Sequence, residues 1–558
     1  MSLCSITVSV PEIQREIIEK LVDVLNTSFE ISKRGDLVMN KFIFDEVPVI
    51  ETTGGKLKGY YYKGEYIFKG VPYAYADRFQ MPRTITWEGV KDASSYGFVC
   101  PLMTNDIPNA ELMVPHRYWP QNENCQNLNI WTKTLESKKK YPVVVWLHGG
   151  GYFAGSSIEQ VAYDGYNMCM EGNVVVVSIN HRLNILGYLD LSPFGEKYEN
   201  SGNAGHADIV AALQWVHDNI SLFGGDPENV TIFGQSGGGM KVADLMQIAA
   251  ADGLFHKALI MSGVSSSFLL PSCTGDGRAI VKAILKELSL SESEIEKLET
   301  IPYYELVNAY TKVSPQIAMQ GGYIGCAPLV NEYYKGNPLD YGFREQAFEI
   351  PLMVGSVFGE FDFMPTEYDK NELTQEQTRT IISTVYGEHT DEMIQVFKEA
   401  YPEKNVADLL SIDRVMRQPS KQIAKLHAKG RHIGTYLYVF TLEFPIHHNK
   451  IAWHCSDIPF FFHNTKLVEV CQIPNVRERL ESQMFEAFMS FVRTGKPASD
   501  KLPEWEPVTE EREPTMIFDR ECKIRYDFDD KLYEKINYIL PPYNLLEMMI
   551  DVENTIQH

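Results

Sequence analysis

Val230-Thr231-Ile232-Phe233-Gly234-Gln235-Ser236-Gly237-Gly238 is a strand-like run that ends on a serine set among glycines, and Gly239 to Ala251 beyond it reads as a helix. In this setting G-x-S-x-G is a sharp strand-to-helix turn that forces its serine into a strained backbone conformation and pushes the hydroxyl out of the sheet. The residues two before and two after the serine pack on each other and must be small; here both are glycine. The amide-rich N-terminus of the following helix favours negative charge developing at the same spot. The stretch therefore predicts a nucleophile, Ser236, that attacks a carbonyl.

Outward from this turn, short continuous runs rich in β-branched residues recur: Val143 to Leu147, Val174 to Ile179, Lys257 to Met261, Pro351 to Gly355 and Gly434 to Phe440. Runs of this kind fit strands covered on both faces. Helical patterns alternate with them at Ala207 to Leu222, Gly239 to Ala251 and Arg477 to Thr494. The alternation predicts an α/β fold with a central, mostly parallel sheet flanked by helices. More polar helical stretches, Ser289 to Asn308 and Asn371 to Ile412, lie between strand signals and read as excursions above the sheet. The predicted organisation is an N-terminal amphipathic helical extension over residues 1–45, followed by one large domain over 46–558 with helical insertions around 280–345 and 370–430. In the extension, Ile13, Ile17, Leu21 and Leu25 fall four apart with charges of both signs between them, the pattern of a helix docked on a protein body.

A serine hydroxyl needs a base, an orienting acid and donors for the oxyanion. Three consecutive glycines in His148-Gly149-Gly150-Gly151-Tyr152, directly after the strand ending at Leu147, let the backbone approach a substrate oxygen. Gly150, Gly151 and Gly237 are the expected amide donors. The base should follow the acid, which should follow the serine; His256, His389, His427, His432, His447, His448, His454, His463 and His558 satisfy that order. Spacing does not choose among them, although His454 lies in an aromatic-rich segment and His447 and His448 compete with it. For the acid, Glu360 stands just past the strand Pro351–Gly355, where catalytic groups gather in open α/β sheets, with Asp362 two residues away. Tyr152, Phe153, Phe361 and Phe363 are candidate walls of an apolar acyl pocket, and core packing is an equal reading for each.

Bulk properties exclude other classes. The chain has 558 residues, 44% of them hydrophobic and 12% aromatic, enough for a large core and unlike disorder. A formal charge of −23 repels phosphate backbones, so nucleic-acid binding is not expected. No run reaches the roughly 18 apolar residues of a membrane span, and Met1 to Val10 lacks the pattern of a signal peptide. Nine dispersed cysteines without a CxxC pair argue for a reducing compartment and against a structural zinc site. We therefore expect a cytoplasmic protein that acts on a small molecule, with no membrane partner, no metal and no cofactor.

Several blocks in order resemble the type-B carboxylesterase/cholinesterase family of the α/β-hydrolase superfamily. They include Phe68-Lys69-Gly70-Val71-Pro72-Tyr73-Ala74, Glu123 to Ile130, Asn180-His181-Arg182-Leu183, Gly202-Asn203-Ala204-Gly205, Ala212 to Val216 and Phe223-Gly224-Gly225-Asp226-Pro227. The resemblance runs from about residue 50 to about 519. It implies the α/β-hydrolase fold and a carboxylic ester hydrolase working through a Ser-His-Glu triad and an acyl-enzyme. It aligns Glu360 with the family acid, His454 with the family base and Ser262 with a serine that supports the acid. It also implies structural ion pairs Arg78–Glu123 and Arg182–Asp208. Cys100 and Cys125 match a pair that is bridged in secreted relatives; free thiols are expected here. The chain departs from the pattern at Gln235 (usually glutamate), Gly237 (usually alanine), Gly359 (usually aspartate) and Phe361 (usually glycine). Alternatives from the same fold are a catalytically silent binding or adhesion protein, a hydrolase of amides or carbamates, and an interfacial lipase.

Overall fold

Fourteen strands carry the framework of the computed structural model, which describes residues 47–103, 116–135, 138–264, 275–362, 368–430 and 433–541. They are β1 (Val49–Thr52), β2 (Gly55–Lys58), β3 (Tyr60–Tyr62), β4 (Glu65–Pro72), β5 (Val90–Asp92), β6 (Asn127–Thr132), β7 (Tyr141–Leu147), β8 (Val175–Ile179), β9 (Gly225–Gln235), β10 (Lys257–Met261), β11 (Leu352–Val357), β12 (Thr435–Phe440), β13 (Pro514–Phe518) and β14 (Lys523–Tyr526). Eleven form one sheet in the order β14-β13-β12-β11-β10-β9-β7-β8-β6-β4-β3; β1, β2 and β5 form a small second sheet. From β8 across to β13 every neighbouring pair is parallel, and only the two margins are antiparallel. The fold is that of an α/β-hydrolase, as expected. The predicted amphipathic helix and domain boundary at residue 45 lie outside the described residues, as do Phe363, His432 and His558.

The unbroken apolar runs follow from burial on both faces. In β7, Val144 and Trp146 enter one hydrophobic cluster, while Val143, Val145 and Leu147 enter the other. In β10, Leu259 and Met261 face the first cluster and Ala258 and Ile260 the second. A strand so placed needs apolar residues at every position, not at alternate ones. Helix Arg477–Thr494 covers the first face through Met484, Phe485 and Phe488. Helices Ala204–Asn219 and Gly237–Leu245 cover the second through Ile209, Leu213, Val216 and Val242.

Parallel strands bring their C-terminal ends to one edge of the sheet, so the segments after β7, β9, β10, β11 and β12 emerge side by side. Those segments begin at His148, Ser236, Ser262, Phe358 and Thr441. Between β10 and β11 the chain forms helices Arg278–Glu287 and Tyr303–Met319; between β11 and β12 it forms Gln375–Tyr386, Thr390–Ala400 and Arg417–Ala428. The two ion pairs expected of the family are present. Arg182 grips Asp208 through Nε–Oδ2 at 2.8 Å and Nη2–Oδ1 at 2.7 Å, both residues buried, and Arg78 Nε reaches Glu123 Oε2 at 2.7 Å.

Candidate active site

Ser236 adopts φ 58°, ψ −127°, a region that costs a non-glycine residue of the order of 1–3 kcal/mol. Its neighbours hold it there. Its own N–H donates to Met261 O at 2.9 Å, tying the turn to β10, and its carbonyl accepts from Met240 N–H at 3.0 Å, opening the next helix. The small residues are obligatory: a Cβ on Gly234 would lie 2.5 Å from the carbonyl carbon of Gly238, and one on Gly238 would run into Leu147 O.

The glycine loop lies against the same turn. Gly150 and Gly151 both have positive φ, 85° and 61°, which glycine adopts without steric cost. Gly150 O accepts from Phe153 and Ala154 N–H, curling the loop back on itself. The space a Cβ on Gly149 would take is 3.4 Å from Ser236 Cβ. A Cβ on Gly237 would strike the backbone of Gly151, so this loop position excludes an alanine at 237. Gly150, Gly151 and Gly237 thus converge beside Ser236.

Across the turn, His454 Nδ1–H donates to Glu360 Oε2 at 2.5 Å, and both side chains are buried. Backbone sets this pair: His454 N–H donates to Glu360 O at 2.5 Å, and Val357 N–H donates to Glu360 Oε1 at 2.9 Å. The Phe361 ring lies against the His454 ring, with centroids 4.6 Å apart and planes tilted by 30°, which gives the imidazole an aromatic cover. Burial, and then the charge of Glu360, push the carboxyls of Asp413 and Asp457 up to about 7, so neither adds a full second charge beside the pair below neutral pH.

Gln235 links the base to the turn. With Nδ1 donating to Glu360, Nε2 is the accepting nitrogen of His454, and Gln235 Nε2–H lies 3.2 Å from it. Gln235 Oε1 accepts from the Cys455 thiol at 3.1 Å; burial pushes that thiol well above its usual pKa, keeping its proton in place. Among the described residues Ser236 Oγ has no hydrogen bond to His454. The amide of Gln235 occupies Nε2 of His454 instead.

The competing residues are engaged elsewhere. Asp362 accepts from Lys450 Nζ at 2.8 Å. His447 and His448 sit exposed on a loop, the latter 3.0 Å from Asp369. Ser262 follows β10 as expected, yet its buried Oγ makes no hydrogen bond; the Val357 amide supports Glu360 instead. Cys100 and Cys125 are buried free thiols. Tyr152 lies beneath the glycine loop with its hydroxyl 2.6 Å from Asp244, so it is an anchor and not a pocket wall. Sequence reasoning passed over Cys455 and the pair Lys241 and Asp244. Two charges three apart inside the otherwise apolar Gly239–Ala251 pattern were the available signal for that pair.

The chain matches the sequence profile of the Carboxylesterase family over residues 46–535. It is 30% identical to para-nitrobenzyl esterase of Bacillus subtilis (strain 168) over 499 residues, 88% of this chain and 98% of that protein. It is 28% identical to carboxylesterase 1D of Mus musculus over 519 residues, covering 82% and 87% of the two chains. Among solved structures, an esterase from anaerobic Clostridium hathewayi that can hydrolyze aliphatic aromatic polyesters superposes with a TM-score of 0.88 at 55% identity, covering 90% of this chain and 100% of that one. A profile match over residues 46–535 and esterase relatives that share most of its length show that this chain belongs to the Carboxylesterase family and hydrolyses carboxylic esters.

Proposed function

We propose that Ser236, His454 and Glu360 are the catalytic triad, that the amides of Gly150, Gly151 and Gly237 form the oxyanion hole, and that the substrates are small to medium apolar esters. The His454–Glu360 hydrogen bond, on the sheet edge that carries the strained Ser236, is the observation that supports this most. Gln235 first releases His454 Nε2. Ser236 Oγ then attacks the ester carbonyl carbon while Nε2 takes its proton, and Glu360 stabilises the imidazolium through Nδ1–H. The carbonyl oxygen, now an oxyanion, is met by the three amides, each worth about 3 kcal/mol of transition-state stabilisation. Collapse expels the alcohol, which takes its proton from His454. Water, deprotonated by the same nitrogen, releases the acid and restores Ser236.

The clostridial relative and the aromatic ring of Phe361 over the base favour esters of aromatic acids within this class. A p-nitrophenyl ester chain-length series, extended with soluble oligoesters of an aromatic diacid, tests both points. Ser236→Ala should lose hydrolysis of all of them, and full activity in that variant would sink the triad assignment. No described helix is long and apolar enough to cross a membrane. We read the compartment as reducing and cytoplasmic, supported by the free thiols of Cys100 and Cys125. Mass mapping of alkylated protein from its native host that found those two residues bridged would overturn that reading.

A further inference from the structure

The glycine loop has no side chains of its own between His148 and Tyr152, so packing alone leaves its position loosely specified. Its backbone turns on Gly150 O and is tied at Tyr152 O by Asn184 N–H at 2.7 Å, and two side chains of the helix that begins at the nucleophile add a hold at each end. At the leading end, Lys241 Nζ donates to His148 O at 3.1 Å. At the trailing end, Tyr152 Oη donates to Asp244 Oδ2 at 2.6 Å. Lys241 and Asp244 stand three apart in helix Gly237–Leu245 and so share one face. The same helix supplies Gly237, the third expected donor.

Both charges are sequestered. Lys241 and Asp244 are 0% and 2% exposed, a placement that charged residues almost never take without a specific partner. Asp244 has three side-chain partners: besides Tyr152 it accepts from Tyr334 Oη at 2.5 Å, and His206 Nε2 lies 3.1 Å from Oδ2. Removing one donor would leave part of a buried carboxylate unpaired, which makes the Tyr152 contact costly to break. His148 is itself braced, with Nδ1–H on Gly149 O at 2.9 Å and its ring stacked on His181. Burial holds both imidazoles well below their usual pKa, so they stay neutral beside Lys241.

We infer that Lys241 and Asp244 are positioning residues that lock both ends of the glycine loop to the nucleophile helix, so that all three oxyanion donors are referenced to one rigid body. The inference rests on the oxyanion reading above. Neither residue touches substrate. Their effect is on where the amides of Gly150 and Gly151 point, and a displacement well under 1 Å is enough to weaken a hydrogen bond aimed at a transition state.

The test uses Lys241→Met, which keeps chain length and removes the donor, and Tyr152→Phe, which deletes one oxygen. Steady-state kinetics on a p-nitrophenyl ester are paired with the inhibition constant of a trifluoromethyl ketone, which forms a tetrahedral adduct on the serine. The expected result is a fall in kcat of about tenfold in each variant, with KM within about twofold and the same weakening of the ketone. A lower melting temperature with unchanged kcat and unchanged ketone affinity would mean a purely structural role and overturn the inference. If Lys241→Met does not fold, Tyr152→Phe carries the test alone. Ser236→Ala separates the levels. An inactive Ser236→Ala with fully active clamp variants removes only this inference, whereas an active Ser236→Ala removes the site reading beneath it.

Discussion

The two flanks of Ser236 are held in place by different means. On the acid–base flank, main chain does the holding: Val357 N–H fixes the Glu360 carboxylate, and a backbone bond from His454 N–H to the Glu360 carbonyl sets the two residues side by side. On the glycine-loop flank, proposed to carry the oxyanion donors, side chains do the holding: Lys241 takes the backbone carbonyl of His148, and Asp244 takes the side-chain hydroxyl of Tyr152 where the loop ends. A side chain with one job can be orientated by local backbone. A loop whose job is done by its amides has to be orientated by something outside itself.

Several experiments probe this contrast. The largest effect belongs to His454, the proposed base. His454→Ala should lower kcat by about 10⁶-fold, measured with a sensitive fluorogenic ester, while circular dichroism shows the fold retained; a loss of only tenfold would mean that another histidine serves. Glu360→Gln should cost about 10⁴-fold, because an amide no longer favours the imidazolium. Next comes Gln235→Glu. A carboxylate 3.2 Å from His454 Nε2 favours the charged ring. The acid limb of the kcat/KM profile should therefore move to higher pH by about one unit, and an unmoved limb would mean that residue 235 has left the base in solution.

The smallest effect tests the glycine-loop flank through stability alone. Burial lowers the pKa of Lys241 from 10.5 to about 7, with Asp244, Glu159 and Cys100 opposing it and His148 and His181 nearby. Its folded-state pKa lies below its unfolded value, so between about 7 and 10.5 the unfolded chain binds more protons than the native one. Stability therefore rises with pH across that window. Urea unfolding of wild type and Lys241→Met at several pH values should show that rise shrinking in the variant; parallel curves would place the ammonium group in contact with water.

The contrast also explains what could be read from the sequence. The strands at Val143 to Leu147 and Lys257 to Met261, the elbow and the glycine loop are local signals, written in runs of five to ten residues. The His454–Glu360 pair needed the family resemblance, because nine histidines satisfied the chain order. The remainder depends on pairings that no local pattern carries. Lys241 meets a carbonyl 93 residues away, Asp244 a hydroxyl 92 away, and Cys455 an amide 220 away. Ser262 shows the converse: its place was legible, but in this structure the hydrogen bond it was expected to make belongs to the Val357 amide.

The contact between Gly237 and Gly151 makes the two positions interdependent. With the loop seated where it is, an alanine at 237 has no room, and with an alanine at 237 the loop could not have been seated there. The two features are epistatic: an alanine at 237 displaces the glycine loop unless the loop itself is reshaped. Gly237→Ala introduced by itself should therefore push the loop away from Ser236, and a second change that reseats the loop should be needed to tolerate it.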